Sequence, residues 1–288
     1  MKFSEIKHKI KNLGNFKSLK EIKEAGLRIV RNTKTGDYWL IEKEFLKPVI
    51  KSPRECKSIL IKPEDLKYKV LMVHKSKKEL KGKKVLDYIE WGEKQKLQKR
   101  PTIKSRNRWY DLGEWKISKN VLPMFERARK YSFYNKSCYV DAALYWVYSK
   151  DQLDENILCL LLNSTLFGLW KELMARPPEG GGGGPIQMKA YHYEEMLVIK
   201  LELLKKFEEK LKNIFNSFIR RKIKSIFTEL GFDPSKPIRE QEPNPLPDRK
   251  ALDDIVFDAL GLTEEERKEV YWSVAELVKN RLEKAKNV

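Results

Sequence analysis

The 288-residue chain is 41% hydrophobic, which is enough apolar content to build a core and excludes a disordered protein. Its 60 lysines and arginines outnumber its 41 acidic residues, leaving a formal charge of +19 and a pI near 9.6. This excess favours a polyanion or an acidic surface as partner, and nucleic acid in particular, although solvated surface lysines would give the same composition.

The positive charge is unevenly distributed along the chain. Between Lys62 and Arg108 there are 16 basic and 6 acidic residues, whereas from Glu240 to Val288 there are 8 basic and 12 acidic residues. One part of the molecule is therefore expected to attract phosphate, and the C-terminal part is not.

Cysteine and histidine usage argues against a metal centre. The three cysteines are far apart, no CxxC is present, and the three histidines are equally scattered, which disfavours zinc and favours a reducing compartment. The N-terminus lacks the apolar core of a signal peptide, and no run approaches the roughly 18 residues of a membrane span. We expect a soluble, cytoplasmic protein with no membrane partner.

The N-terminal part of the chain predicts short helices and strands. Lys34–Asp37 is a turn-forming tetrapeptide between two apolar segments, and Pro101 ends a helical pattern. The predicted elements are a helical segment (1–25), a hairpin (26–41), two strands (Ser58–Ile61 and Tyr68–His74) and a helix (Glu79–Leu97).

A basic stretch beside aromatics follows this helix. Lys104, Arg106 and Arg108 directly precede Trp109 and Tyr110. Guanidinium groups bind phosphates and guanine edges, and aromatic rings stack on bases, so the pattern indicates a nucleic-acid-binding loop. The alternative is that Trp109 belongs to the core and its neighbouring arginines cover it.

The central region predicts a sheet and then a buried helix. Seven aromatics lie in residues 130–150, where two or three strands with a turn at Lys136 are expected and most of the rings form sheet core. Residues 154–175 are apolar on most sides and predict one buried helix.

Arg176 and five glycines, Gly180–Gly184, come next. Glycine permits close approach of the backbone to a ligand, so we interpret the run as a loop that orders on its partner, with a simple flexible linker as the alternative. It lacks the Gly-Lys-Ser/Thr of a P-loop and the spacing of a dinucleotide fingerprint.

The remainder of the chain predicts helix. Apolar residues at intervals of three and four over residues 193–230 indicate one long amphipathic helix, or two in series, that serves as a spacer or packing arm. A proline-rich linker and two tail helices complete an α+β protein with a mixed or antiparallel sheet. The predicted domains are 1–25 (helical segment), 26–192 (recognition domain), 193–232 (long helix), 233–248 (linker) and 249–288 (helical tail).

No catalytic motif stands out in the sequence. A nuclease centre needs an acidic residue and a D/E-x-K pair, which Asp65-Leu66-Lys67 and Glu93-Lys94-Gln95 nearly supply. A chain this rich in Glu and Lys forms such triplets by chance, as Glu5-Ile6-Lys7 shows, so a nuclease is only an alternative.

Several segments of the chain together carry a resemblance to one known family. They are Glu90–Glu93, Lys104–Leu112, Phe133–Lys136, Val140-Asp141, Leu144–Trp146, Leu162–Leu166 leading to Arg176 and the glycines, and Leu252–Leu262. In this order they resemble the C-terminal target-recognition region of TaqI-type adenine-specific DNA methyltransferases and related restriction-modification enzymes, and the resemblance runs from about Lys34 to the C-terminus.

The resemblance implies DNA recognition without methyl transfer. In that family an Asn/Asp-Pro-Pro-Tyr/Phe tetrapeptide holds the flipped adenine. The nearest string here, Asn244–Pro247, lacks both the second proline and the aromatic residue. The chain is thus expected to be no enzyme by itself and to bind no cofactor, with S-adenosylmethionine on a missing catalytic domain or a partner subunit.

The resulting hypothesis is a sequence-specific module for double-stranded DNA. The residues expected to contact DNA are Arg106, Arg108 and Arg176 at base edges, Lys104 and Lys136 at the backbone, Trp109 and Tyr110 as aromatic neighbours, and Gly181, Gly182 and Gly183 at the close approach. A nuclease subunit and a helical scaffold remain the competing classes. The sequence leaves the target site, the oligomeric state and the nature of the missing half open.

Overall fold

The computed structural model describes residues 2–149, 153–177, 184–197 and 199–286. The chain divides into two compact units. The first contains Met1–Val49 and Tyr68–Lys116, and the second contains Ile50–Lys67 and Ile117–Val288. Short antiparallel strands and helices occur in both units, which confirms the predicted α+β class.

The first unit contains two antiparallel strand pairs and several helices. The predicted turn at Lys34–Asp37 is confirmed: Gly36 has a φ of +79° there, and the side-chain oxygen of Asn32 accepts the Lys34 and Thr35 N–H groups. Its elements are α1 (Phe3–Ile6), α2 (Leu19–Glu24), β1 (Leu27–Arg31), β2 (Tyr38–Glu42), β3 (Leu46–Ile50), β4 (Tyr68–Leu71) and α3 (Lys84–Lys94). Antiparallel pairs form between β1 and β2 and between β3 and β4.

Helix α3 is fixed to the first hairpin by a buried carboxylate. The two oxygens of Glu42 accept the N–H groups of Lys84 at 2.6 Å and Val85 at 3.0 Å, which satisfies donors that the first turn of a helix leaves free. Ile89 and Trp39 then pack in the same core cluster. The helix begins five residues later than predicted.

The second unit contains most of the helices. Strands β7, β5 and β9 form an antiparallel sheet in that order, and β6 pairs with β10. Its elements are β5 (Asn120–Pro123), β6 (Phe125–Glu126), β7 (Phe133–Tyr134), β8 (Tyr139–Val140), β9 (Leu144–Val147), α4 (Glu155–Leu161), α5 (Thr165–Met174), β10 (Ile186–Gln187), α6 (Ala190–Glu194), α7 (Leu201–Leu204), α8 (Glu208–Phe218), α9 (Ile226–Leu230), α10 (Pro247–Leu260) and α11 (Glu264–Lys284).

The predicted buried helix over residues 154–175 is divided in two. The axes of α4 and α5 meet at 63°. Asn163 lies between the two helices, and its side-chain amide accepts the Ser132 N–H and donates to the Ser132 carbonyl. Ser164 then caps α5 through the Phe167 N–H. Within the described ranges no single helix has the length and apolarity of a membrane span, although α4 and α5 taken together reach those limits.

The prediction of one long helix over residues 193–232 is wrong. The chain forms α7, α8 and α9 instead, because the backbone after α8 pairs with residues 57–60: Ile223 N–H donates to Lys57 O, and Leu60 N–H donates to Ile219 O. Ser58–Ile61 correspondingly makes isolated bridges and no regular strand. The predicted apolar stripe is present, but its residues pack into the largest core cluster of the unit, so the segment is not a spacer arm.

The tail helices are confirmed, but they belong to the core. Helix α11 packs on α5, and α10 packs on α8. The proline-rich segment before them is held to α9 by Asn244 N–H, which donates to Leu230 O, and by Leu246 N–H, which donates to Glu229 O. The predicted boundary between recognition domain and tail therefore does not separate compact units.

Candidate nucleic-acid interface

Asp111 organises the basic loop of the first unit. Its Oδ2 accepts Nε and Nη2 of Arg108 at 3.1 and 2.6 Å, and its Oδ1 lies 2.8 Å from Nδ1 of His74 and accepts the Gly113 N–H at 2.9 Å. Burial acts to raise the pKa of Asp111, but the hydrogen bonds from Arg108, Gly113 and His74 lower it to about 2. The carboxylate is therefore charged at neutral pH.

This carboxylate gives Arg108 a fixed orientation. The hydrogen bond with Asp111 also raises the pKa of Arg108. Nε and Nη2 of Arg108 both bond Asp111, and the Arg108 side chain as a whole is 38% exposed. An arginine restrained in this way is suited to bidentate recognition of a guanine edge or a phosphate.

The side chains of Trp109 and Tyr110 fix the basic loop to the rest of the first unit. The Trp109 indole donates to Glu93 Oε1 at 3.2 Å, and its ring lies so close to Gly92 that a Cβ at position 92 would overlap it. Tyr110 is 9% exposed and donates its hydroxyl to Lys75 O at 3.0 Å. The core interpretation of Trp109 is thus favoured, and the Tyr110 ring is not presented to solvent.

The remaining predicted basic residues are on the surface. Lys104 and Arg106 are exposed in the same loop as Arg108. Lys136 is exposed in the turn between β7 and β8, and Arg176 is exposed after α5, both in the second unit. The candidate residues therefore form one group in the first unit and separate positions in the second.

Arg176 precedes the glycine segment, Gly180–Gly184, in the sequence. Gln187 N–H donates to Arg176 O at 2.9 Å, and Arg176 N–H donates to Gln187 O at 3.3 Å. Burial and the charge of Arg176 lower the pKa of the neighbouring His192. Gly181, Gly182 and Gly183 lie outside the described residues.

A buried ionic network lies on the inner side of this region. Lys171 Nζ donates to Glu126 Oε1 at 2.5 Å, and Lys130 Nζ lies 3.2 Å from Glu126 Oε2 and also pairs with Glu172. Arg281 donates to both oxygens of Glu172, at 3.1 and 2.8 Å. Burial lowers the pKa of Lys171 against the opposing effect of Glu126.

The network fixes the end of the glycine segment. Arg281 also donates to the backbone oxygens of Gly184 and Arg127. Gly184 has a φ of +113°, and the Arg127 guanidinium occupies the space that a Cβ at position 184 would need. Both backbone conformation and close packing therefore require glycine here.

Sequence reasoning missed the residues that orient the candidate arginines. Asp111 lies three positions after Arg108, a local signal for such a pair, whereas His74 is 37 positions away and leaves no pattern. Glu93 is the acidic residue of the nuclease-like triplet Glu93-Lys94-Gln95. Its carboxylate accepts the Trp109 indole N–H and forms an ion pair with Lys77 Nζ at 2.5 Å. Among the residues that the structure describes, no group of three His, Cys, Asp or Glu side chains could hold a metal ion.

The profile of a family described as the C-terminal domain of the type II methyltransferase M.Eco57I matches residues 29–229. The type IIG restriction endonuclease BpuSI has a similar fold, with a TM-score of 0.55 and 12% identity over 85% of this chain. The chain spans 27% of the length of that enzyme. No curated protein matches the chain.

Proposed function

The chain belongs to the C-terminal domain family of the type II methyltransferase M.Eco57I, and from that premise we propose that it is the sequence-specific DNA-recognition module of a restriction-modification enzyme. The substrate is double-stranded DNA, and the methylated base is adenine, as in TaqI-type enzymes. The catalytic domain and its S-adenosylmethionine site reside on another part of the polypeptide or on a partner subunit.

The observation that carries the proposal is the restrained arginine of the basic loop. Arg108 is held by a charged Asp111, and the exposed Lys104 and Arg106 lie within four residues of it. Lysines supply affinity for any phosphate backbone, but a guanidinium in one fixed orientation can distinguish base edges. This combination supports recognition of sequence and not only attraction of a polyanion.

Surface charge supports the same function. The segment Lys62–Arg108 carries more than half of the net positive charge of the sequence, and its lysines are largely exposed. Neutralising phosphates releases counterions, so the affinity for DNA is expected to fall steeply as salt is added.

The test compares Arg108→Ala with Arg239→Ala in the 288-residue chain. Arg239 is a matched control because it is an exposed arginine held by carboxylates, Glu269 and Glu276. The affinity of each variant is measured for two duplexes. The wild-type protein enriches the first duplex from a randomised library, and the second has a scrambled sequence.

We expect Arg108→Ala to lose roughly ten- to hundredfold of its preference for the enriched duplex, which corresponds to about 1–3 kcal/mol. Arg239→Ala should retain the preference. An equal loss of affinity for both duplexes would contradict the assignment of Arg108, and metal-dependent cleavage by the isolated chain would favour the nuclease alternative.

A further inference from the structure

We propose that Gln187 is a base-reading residue that selects adenine, acting in an exposed row with Phe125 and Arg176 in which Arg176 reads an adjacent guanine. The proposal rests on the proposed function, because it assigns the specificity of a DNA-binding surface in the second unit. Neither Gln187 nor Phe125 was among the residues predicted from the sequence to contact DNA.

The strand register brings these three side chains together. Gln187 of β10 is the antiparallel partner of Phe125 in β6, and Arg176 is the antiparallel bridge partner of Gln187 on its other side. Residues that are directly opposite in antiparallel pairs project from the same face, with Cβ atoms about 4.5–5.5 Å apart. Phe125, Gln187 and Arg176 therefore form a row in that order.

The alternation of burial shows that this row faces outward. Ile186 and Met188, the neighbours of Gln187, are 3% and 0% exposed, and Glu126 beside Phe125 is 2% exposed. Phe125 itself is 40% exposed, Arg176 is exposed and Gln187 is half-buried. Side chains of a strand alternate between two faces, so the row occupies the solvent side.

The polar groups of the row are available for a ligand. Within the described ranges, the one hydrogen bond of the Gln187 side-chain amide is a long one, 4.0 Å from Nε2 to the Met124 sulfur. Arg176 is exposed, and it makes no ion pair with any described residue.

The chemistry of the row matches purine edges in the major groove. A glutamine amide donates one hydrogen bond and accepts another, which complements N7 and the N6 amino group of adenine. A guanidinium complements O6 and N7 of guanine in the same bidentate manner, and an exposed phenyl ring contacts a thymine methyl group. Neighbouring residues in the row are close enough to address neighbouring base pairs.

The row is held rigidly, as specificity requires. Phe125 adjoins Glu126, whose carboxylate is fixed by Lys171 and Lys130, and the backbone of the glycine end is fixed by Arg281. Reading groups on a rigid support lose little entropy when they bind, so small differences between bases become differences in affinity.

The test exchanges the hydrogen-bonding pattern of position 187. Gln187→Glu removes the donor and leaves acceptors, which complement the N4 amino group of cytosine. Wild-type protein, Gln187→Glu and the control Asn280→Asp are each used to enrich a randomised duplex library, and the affinities for the enriched duplexes are then measured. Asn280 is exposed on α11 and undergoes the same amide-to-carboxylate change.

The expected result is a change at one position of the enriched sequence. Gln187→Glu should replace an adenine by cytosine there, with a roughly tenfold or larger change in relative affinity for the two duplexes. Asn280→Asp should enrich the wild-type sequence. Gln187→Met, which keeps the side-chain length, should lose the adenine preference and retain binding to random duplex. This second variant tests the base preference even if a carboxylate at position 187 perturbs folding.

Two results would overturn the inference while leaving the proposed function intact. One is an unchanged enriched sequence from both Gln187 variants, and the other is an equal loss of affinity for every duplex, which would indicate a structural role. If the wild-type protein itself bound no duplex, the proposed function would fail instead, and the two failures are thus distinguishable.

Discussion

Glu126 and Lys171 are both buried members of the network beneath the glycine segment, yet their removal is expected to have unequal consequences. The network contains three cations, Lys130, Lys171 and Arg281, and two carboxylates, Glu126 and Glu172. Replacing Lys171 with methionine leaves two charges of each sign. Replacing Glu126 with glutamine leaves Glu172 alone against three cations.

The magnitude follows from this imbalance. Leaving a buried charge without its partner costs about 3–5 kcal/mol, so Glu126→Gln should lower the free energy of unfolding by roughly that amount. Lys171→Met should cost less than about 2 kcal/mol, because Glu126 keeps Lys130, methionine fills similar volume and the desolvation of a buried ammonium is avoided.

Urea unfolding monitored by circular dichroism at neutral pH measures both values, provided that the transitions remain two-state. Glu269→Gln serves as the control, because it breaks an ion pair in which both side chains are about half exposed, and it should cost less than about 1 kcal/mol. A loss for Lys171→Met equal to or larger than that for Glu126→Gln would refute the charge-balance reasoning.

Three further changes test other parts of the structure. Burial raises the pKa of Asp253 to about 6, so wild type loses up to about 3 kcal/mol of stability as pH rises from about 4 to 6 and no more above that window. The unfolding free energy of Asp253→Asn relative to wild type should therefore rise between about pH 4 and 6 in parallel pH-dependent unfolding curves, and a constant difference would contradict this. Gly92→Ala should lower the unfolding free energy by about 1–3 kcal/mol because the added methyl group overlaps Trp109, and an unchanged thermal midpoint would show that the ring moves freely. Asp111→Asn weakens the restraint on Arg108 and should reduce discrimination between duplexes in a competition titration more than it reduces affinity for random DNA; an unchanged ratio would mean that the restraint has no role in reading.

The sequence predicted the elements that depend on local chemistry. The hairpin at Lys34–Asp37 follows from its turn residues. Helix α11 begins at a capping box, in which Thr263 accepts the Glu266 N–H and Glu266 accepts the Thr263 N–H. The aromatic strands β7 to β9 follow from alternation and turn residues within one short segment.

The features that the sequence could not predict depend on distant pairing. The stripe of apolar residues over 193–230 is helical in spacing, but it carries no sign that Ile223 pairs with Lys57, which ends the helix. The same limitation applies to the candidate site. Arg108 could be selected from its neighbours, whereas the row of Phe125 and Gln187 is assembled from positions 62 residues apart.

The most direct test of DNA recognition by this chain is a fluorescence anisotropy titration of the purified 288-residue chain on a labelled duplex over a series of salt concentrations. The proposed function predicts binding at low salt and a linear fall of the logarithm of the association constant with the logarithm of salt concentration, with a slope of about −0.9 for each phosphate neutralised. Absence of binding in dilute buffer, or an affinity that does not change with salt, would contradict it.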